Sequence, residues 1–256
     1  MDLAAPSPPP GTHPEDAYLR PVRSGEIRYA VLDVETTGLD ARSDRVVECA
    51  VVELDRSGGE LDRWSSLVAV PGDGEIGASF VHGITREMLA GAPSFAALVP
   101  ELVRRLAGRV VVGHVLAFDL GHLAHEFQLA GVDLPDVRSG GICTRDLARR
   151  HLPPGPRTLE RCCAATGVVA SDAHTALGDA LAASGLLRWF IDRGYEGEWR
   201  GATDAASALR WPAVDRGTDP ALPRPTALDV PQTTVPALAP TVRRGEVGGS
   251  AQAPGR

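Results

Sequence analysis

The spacing of apolar and polar positions along the middle of the chain predicts a series of strands and helices. Residues 29–34 (YAVLDV) and 45–54 (RVVECAVVEL) are nearly continuous apolar runs rich in β-branched side chains, the pattern of buried strands. Residues 64–70 predict a third strand. Over residues 94–107 the period changes. Leu98, Leu102 and Leu106 fall four apart behind a Ser94 cap, which predicts an amphipathic helix. Residues 110–113 predict a short buried strand, followed by a helix from about Ala117 to Ala130 that Gly131 ends. Shorter helices are predicted over 144–150 and 158–166, on either side of a proline-rich turn, and a long one over 175–192. Strands first, then strand–helix alternation, predict an α/β domain with a mixed sheet.

Proline marks the boundaries. Of 21 prolines, six lie in residues 1–25 and eight follow residue 202, and both ends lack apolar periodicity. The chain therefore divides into an N-terminal segment 1–25, a domain 26–200 and a Pro-rich tail 201–256, with both ends expected to be disordered. No run approaches the ~18 apolar residues of a membrane helix, so no membrane association is expected. The start MDLAAPSPPPGT has neither a basic leader nor an apolar stretch, which argues against an export signal. Cys49, Cys143, Cys162 and Cys163 form no CxxC pair, and the last two are adjacent, a poor geometry for a disulfide. Buried thiols in a reducing cytoplasm are expected.

The net charge of −7 argues against a protein that grips long duplex by its phosphates, which normally shows a basic face. The two ends nearly cancel in charge, so the excess acid resides in the predicted domain. Either the partner is not nucleic acid, or bound cations reverse the local sign and only a short strand end is held.

The acids themselves decide between these. Asp33 and Glu35 lie two residues apart at the end of the first strand, so they project to one face, ~7 Å apart along the chain. Thr36, Thr37 and Gly38 follow as a polar turn at the strand's carboxyl end, where open α/β sheets place their ligands. Two like charges that share a buried site persist mainly where a cation sits between them. A lone DxE, however, is more often one acid at a strand end and one in a turn. Asp119 falls in the first turn of a predicted helix, which the helix dipole alone would favour. His174 and Asp179 are five residues apart; on a continuous helix they would diverge by ~140°. They can share a site only if His174 precedes the helix, and Thr175 is a credible cap for that arrangement. An imidazole on a loop beside an activated water is a fitting general base. Together Asp33, Glu35, Asp119 and Asp179 supply enough negative charge for two divalent cations that can hold a phosphodiester, which would explain why the site is acidic.

The segments LDVETTGLD, VHGIT, HVLAFDLGHL and HTALGD, in this order, resemble the DEDDh 3′→5′ exonucleases, a family that includes the proofreading epsilon subunit of bacterial replicative DNA polymerase. The resemblance covers about residues 28–192. It implies a ribonuclease H-like fold, a five-stranded mixed sheet flanked by helices. It also implies Asp33, Glu35, Asp119 and Asp179 as ligands of two Mg²⁺ or Mn²⁺ ions and His174 as general base. Thr36, Thr37, Gly38 and Leu39 would contact the terminal nucleotide, and His82 and Phe118 would line the pocket for the bases. One departure is Val115, where family members commonly carry asparagine after the histidine.

The reading that follows is an exonuclease acting on the 3′ end of single-stranded or frayed DNA, in proofreading or repair. An exoribonuclease that trims RNA is the alternative within the class, and a catalytically silent nucleotide-binding module lies outside it. A two-metal hydrolase of small phosphoesters is a third possibility. His122, His125 and Glu126 have a spacing that suggests metal ligands but lack the second histidine of HExxH, and a solvated helix face is expected there. Residues 232–238 (QTTVPAL) vaguely resemble the peptides by which polymerase accessory proteins dock on the sliding clamp, so a polymerase or clamp is a candidate partner of the tail.

Overall fold

The computed structural model describes residues 28–72 and 76–213. The segment 1–25 and the QTTVPAL peptide lie outside these residues. Five strands form one mixed sheet in the order β3-β2-β1-β4-β5. They are β1 (Tyr29–Thr36), β2 (Val46–Leu54), β3 (Glu60–Leu67), β4 (Val110–Gly113) and β5 (Ile142–Cys143). β1, β2 and β3 pair antiparallel, whereas β4 and β5 join parallel to β1.

Alternation along β1 sends its side chains to two cores. Ala30, Leu32 and Val34 pack with α2 (Phe95–Leu106) and α3 (Leu116–Leu129) on one face. Tyr29 and Val31 pack with α4 (Thr144–His151), α5 (Leu159–Thr166) and α6 (Ala176–Ile191) on the other. Asp33 and Glu35 continue that second series, so they point toward the α6 side of the sheet. β4 pairs with β1 only as far as Val31↔Val112 and ends at Gly113. Beyond that point one edge of β1 is left open beside both acids.

Several expectations need correction. The third strand begins at Glu60, not at residue 64, because it is a sheet-edge strand that starts directly after the turn centred on Asp55. Its first half is polar and exposed, which hides it from an apolar-run reading. β5 is only two residues long, and the four-residue helix α1 (Ser79–His82) lies in a stretch without periodicity. Regular structure also continues past the expected boundary at residue 201. A helix α7 (Arg200–Ala208) follows Trp199, whose indole donates to the Tyr29 hydroxyl at 3.3 Å. Ala206 is buried in the α6-side core, and Leu209 and Trp211 pack onto the α2/α3 core. Small residues dominate α7, so its pattern resembles that of a linker. His122, His125 and Glu126 do not form a solvated face: His122 and Glu126 are completely buried, and only His125 is half-exposed. Glu126 takes two hydrogen bonds from the Arg45 guanidinium, at 2.8 and 2.9 Å, and one from the Val46 amide at 3.0 Å. It therefore ties α3 to the start of β2.

A chain ending at Arg200 should be ~2–4 kcal/mol less stable than one ending at residue 213, because full burial of a large apolar side chain contributes ~1.5–3 kcal/mol and Leu209 and Trp211 each bury part of theirs. Urea unfolding of the two chains checks this, and equal midpoints would show that α7 contributes nothing to the domain.

Candidate active site

Three elements converge at the open edge of β1. Asp33 and Glu35 come from the strand, and Asp119 from the first turn of α3. Asp179 comes from the first turn of α6. Asp33, Glu35 and Asp179 each bring one carboxylate oxygen within 4.8 Å of the others. Asp119 is buried and accepts hydrogen bonds from its own amide and from that of Val34, a donor left free because β4 stops short. It thus reaches the cluster from the opposite layer, around the end of β4.

The electrostatic consequence is visible in all four acids. Burial raises the Asp33 carboxyl well above the usual range, and Asp119, Asp179 and Glu35 push it further. Burial, then Asp179, Glu48 and Asp119, raise Glu35 to about 7. Asp119 is raised to about 7, again by burial first, with Asp179 adding to it. Asp179 is raised by burial, opposed by the amide of His174 and by the His174 ring. Burial, with the neighbouring carboxylates adding to it at Asp33, Glu35 and Asp119, favours the protonated form of these groups, and their hard oxygen donors fit divalent ions such as Mg²⁺ or Mn²⁺.

His174 lies before α6, as the divergence argument requires. It is exposed and adopts a left-handed backbone, with φ 67°, two residues after Asp172 at φ 54°. Its amide donates to the Asp179 carboxylate. Thr175 caps the helix by accepting from the Gly178 amide at 3.0 Å. Gly178 is required by close approach: a Cβ there would collide with the carbonyl of Asp172 and lie 2.7 Å from that of Ser171. The loop therefore folds down onto the first turn of α6 only because residue 178 has no side chain.

The polar turn after β1 is built around Asp44, which the sequence reading did not single out. Asp44 accepts from the Thr37 hydroxyl at 3.1 Å and the Asp40 amide at 2.9 Å. A Cβ on Gly38 would run into the same carboxylate. Thr36 is buried and donates to the Gly38 carbonyl at 2.6 Å. Leu39, at the tip, is 86% exposed. Phe118 is partly buried and packs against the His122 ring in a tilted arrangement, with centroids 4.3 Å apart. His82 is buried and spends both ring nitrogens on its own loop, accepting from the Ile84 amide at 3.0 Å and facing the Gly77 carbonyl at 3.3 Å. Val115 occupies the N-cap position of α3 and makes no capping bond. Glu48, directly opposite Glu35 on β2, was also missed. A lone acid inside the apolar run VVECAVV was the available signal.

Comparison with known proteins follows the same residues. A family model described as Exonuclease, RNase T type, matches residues 30–187. The DNA polymerase III subunit epsilon of Treponema pallidum is 36% identical over 107 residues, 40% of this chain and 47% of that protein. The PolC-type DNA polymerase III of Oceanobacillus iheyensis is 31% identical over 166 residues, 64% of this chain but 11% of that protein. The chain thus spans less than half the length of these curated relatives. Among solved structures, exonuclease I of E. coli in complex with a dT13 oligonucleotide superposes with a TM-score of 0.59 at 17% identity, over 67% of this chain and 42% of that one. Exonuclease X in complex with 5′-overhanging duplex DNA gives 0.53 at 24% identity, over 68% and 99%. These likenesses establish the exonuclease fold. Among the described residues no helix is long and apolar enough to cross a membrane, and the four cysteines are free.

The raised carboxyls make a stability prediction for the cation-free protein. Their folded pKa values exceed the unfolded values of ~4, so the native state binds extra protons between the two. The stability this provides is complete below the unfolded pKa and is lost as pH rises through about 7. The melting midpoint in chelator should therefore be higher at pH 5.5 than at pH 8, and Mn²⁺ should raise it more at pH 8. Differential scanning fluorimetry reads both effects; a Mn²⁺ shift independent of pH would contradict the assignment.

Proposed function

The chain belongs to the RNase T family of exonucleases, and from that premise we propose that it is a divalent-metal-dependent 3′→5′ exonuclease acting on DNA. It removes nucleotides singly from single-stranded or frayed 3′ ends and releases nucleoside 5′-monophosphates. The observation that carries this reading is the convergence of Asp33, Glu35, Asp119 and Asp179 with the loop of His174 at the open edge of β1. DNA is favoured as substrate because exonucleases I and X, which share the fold, are described in complex with DNA. The named relatives are subunits of DNA polymerase III, which supports a role in proofreading or repair.

Asp33, Glu35, Asp119 and Asp179 would hold two Mg²⁺ or Mn²⁺ ions in this reading. Such ions would lower the pKa of the attacking water and neutralise charge on the phosphate and the leaving oxygen. His174, exposed at the mouth of the cluster, accepts the proton from the water as its oxygen attacks phosphorus and the bond to the 3′ oxygen breaks. The left-handed backbone of His174 is tied to Asp179, so the base and a ligand carboxylate move as one unit. Leu39 and the Thr36–Gly38 turn, braced on Asp44, meet the terminal nucleotide, and Phe118 flanks the base. His82 shapes the neighbouring loop from within, since both its nitrogens are engaged there.

A 5′-labelled DNA strand with Mg²⁺ or Mn²⁺ should yield a ladder of products shortened from the 3′ end, and excess chelator should abolish it. Asp33→Ala or Asp179→Ala should lower turnover by orders of magnitude in a folded protein. Persistence of full activity in chelator would exclude the two-metal reading, and faster degradation of an RNA strand would move the substrate to RNA. His174→Ala should cost ~10²–10⁴ in kcat with KM little changed. The same loss should be absent if another group accepts the proton.

A further inference from the structure

Glu48 sits where a carboxylate ought to be unwelcome. It is directly opposite Glu35 across the antiparallel β1–β2 pair, so both side chains stand on the same face. Like charges in that relation repel, and burial together with Asp179 raises Glu48 as well. One contact offsets this cost. Glu48 Oε2 accepts the amide of Ala176 at 2.9 Å, across 128 residues of sequence.

That amide is the first of α6, and Ala176 is fully buried. The first-turn amides of a helix have no partner within the helix and favour negative charge. Thr175 satisfies Gly178 locally, and Glu48 satisfies Ala176 from the sheet. The two flanking residues matter most. His174 lies two positions before the tethered amide and Asp179 three after it; Asp179 clusters with Asp33 and Glu35, and the His174 amide donates to Asp179.

We propose that Glu48 is a positioning residue that fastens the amino end of α6 to β2 and thereby sets His174 and Asp179 against Asp33 and Glu35. The inference rests on the exonuclease reading for its kinetic consequence only; the tether itself does not. Its action requires an acceptor oxygen at glutamate reach and does not require the charge. Two substitutions separate these requirements. Glu48→Gln keeps the reach and an acceptor oxygen while removing the charge. Glu48→Asp keeps the charge but is one methylene too short.

Hydrogen exchange at the Ala176 amide reads the tether directly, and turnover on a labelled DNA strand reads its consequence. Glu48→Gln should retain slow exchange and a kcat within about threefold of the parent. Glu48→Asp should show fast exchange at Ala176 and lose ~10–100-fold in kcat, the usual range for residues that orient ligand side chains, with KM nearly unchanged. The reverse order, with Gln impaired and Asp active, would overturn the proposal and make Glu48 a charge-bearing participant. Equal activity of all three proteins would also overturn it. If the exchange results hold while the parent itself degrades no nucleic acid, the tether stands and the exonuclease reading falls.

Discussion

Repulsion among carboxylates at the end of β1 is the constraint around which the rest of the domain is arranged. Burial raises Asp33, Glu35, Asp119 and Asp179, Asp179 adds to the rise of the other three, and Glu48 adds to that of the first two. Such a cluster cannot be maintained by local sequence alone. It is imposed by elements whose own packing is settled elsewhere: β1 by its two apolar cores, α3 by the Glu126–Arg45 clamp, α6 by its burial against the sheet. The hydrophobic energy of those cores holds the acids in place, and bound cations would relieve what remains.

Backbone economy at the site follows from the same demand. β4 stops after Gly113, which frees the Val34 amide for Asp119 and lets a residue from the α3 layer join two from β1. The loop before α6 bends through two left-handed residues and lies on Gly178, which places His174 next to Asp179 although five positions separate them. The turn after β1 closes on Asp44 in a similar way, with Gly38 making room. In each case a glycine or a strand end permits an approach that a longer strand or a side chain would block.

Much of this was legible in the sequence, for identifiable reasons. Strand alternation alone puts Asp33 and Glu35 on one face, and the Thr175 cap separates His174 from the helix that carries Asp179. Ser94, Thr158 and Thr175 were readable as helix starts, and two of them, Ser94 and Thr175, were read as caps; all three accept from the third following amide. What was not legible depended on partners distant in sequence. Glu126 looks like a surface acid until Arg45 is brought beside it, and Glu48 looks like an interruption of a strand until the Ala176 amide arrives. His82 was assigned to the base pocket by the family resemblance alone, and no local pattern showed that its ring nitrogens face the Gly77 carbonyl and the Ile84 amide. The first half of the edge strand β3, residues 60–63, and the alanine-rich α7 carry too little apolar contrast for periodicity to reveal them.

The account stands or falls on whether the carboxylate cluster holds divalent cations in the folded protein. A crystal grown with Mn²⁺ and a nucleoside 5′-monophosphate, with anomalous scattering recorded near the manganese edge, tests this most directly. Anomalous peaks bounded by Asp33, Glu35, Asp119 and Asp179, with the phosphate against them, are the predicted result. A cluster free of anomalous density at saturating Mn²⁺, or manganese bound only elsewhere, would contradict it.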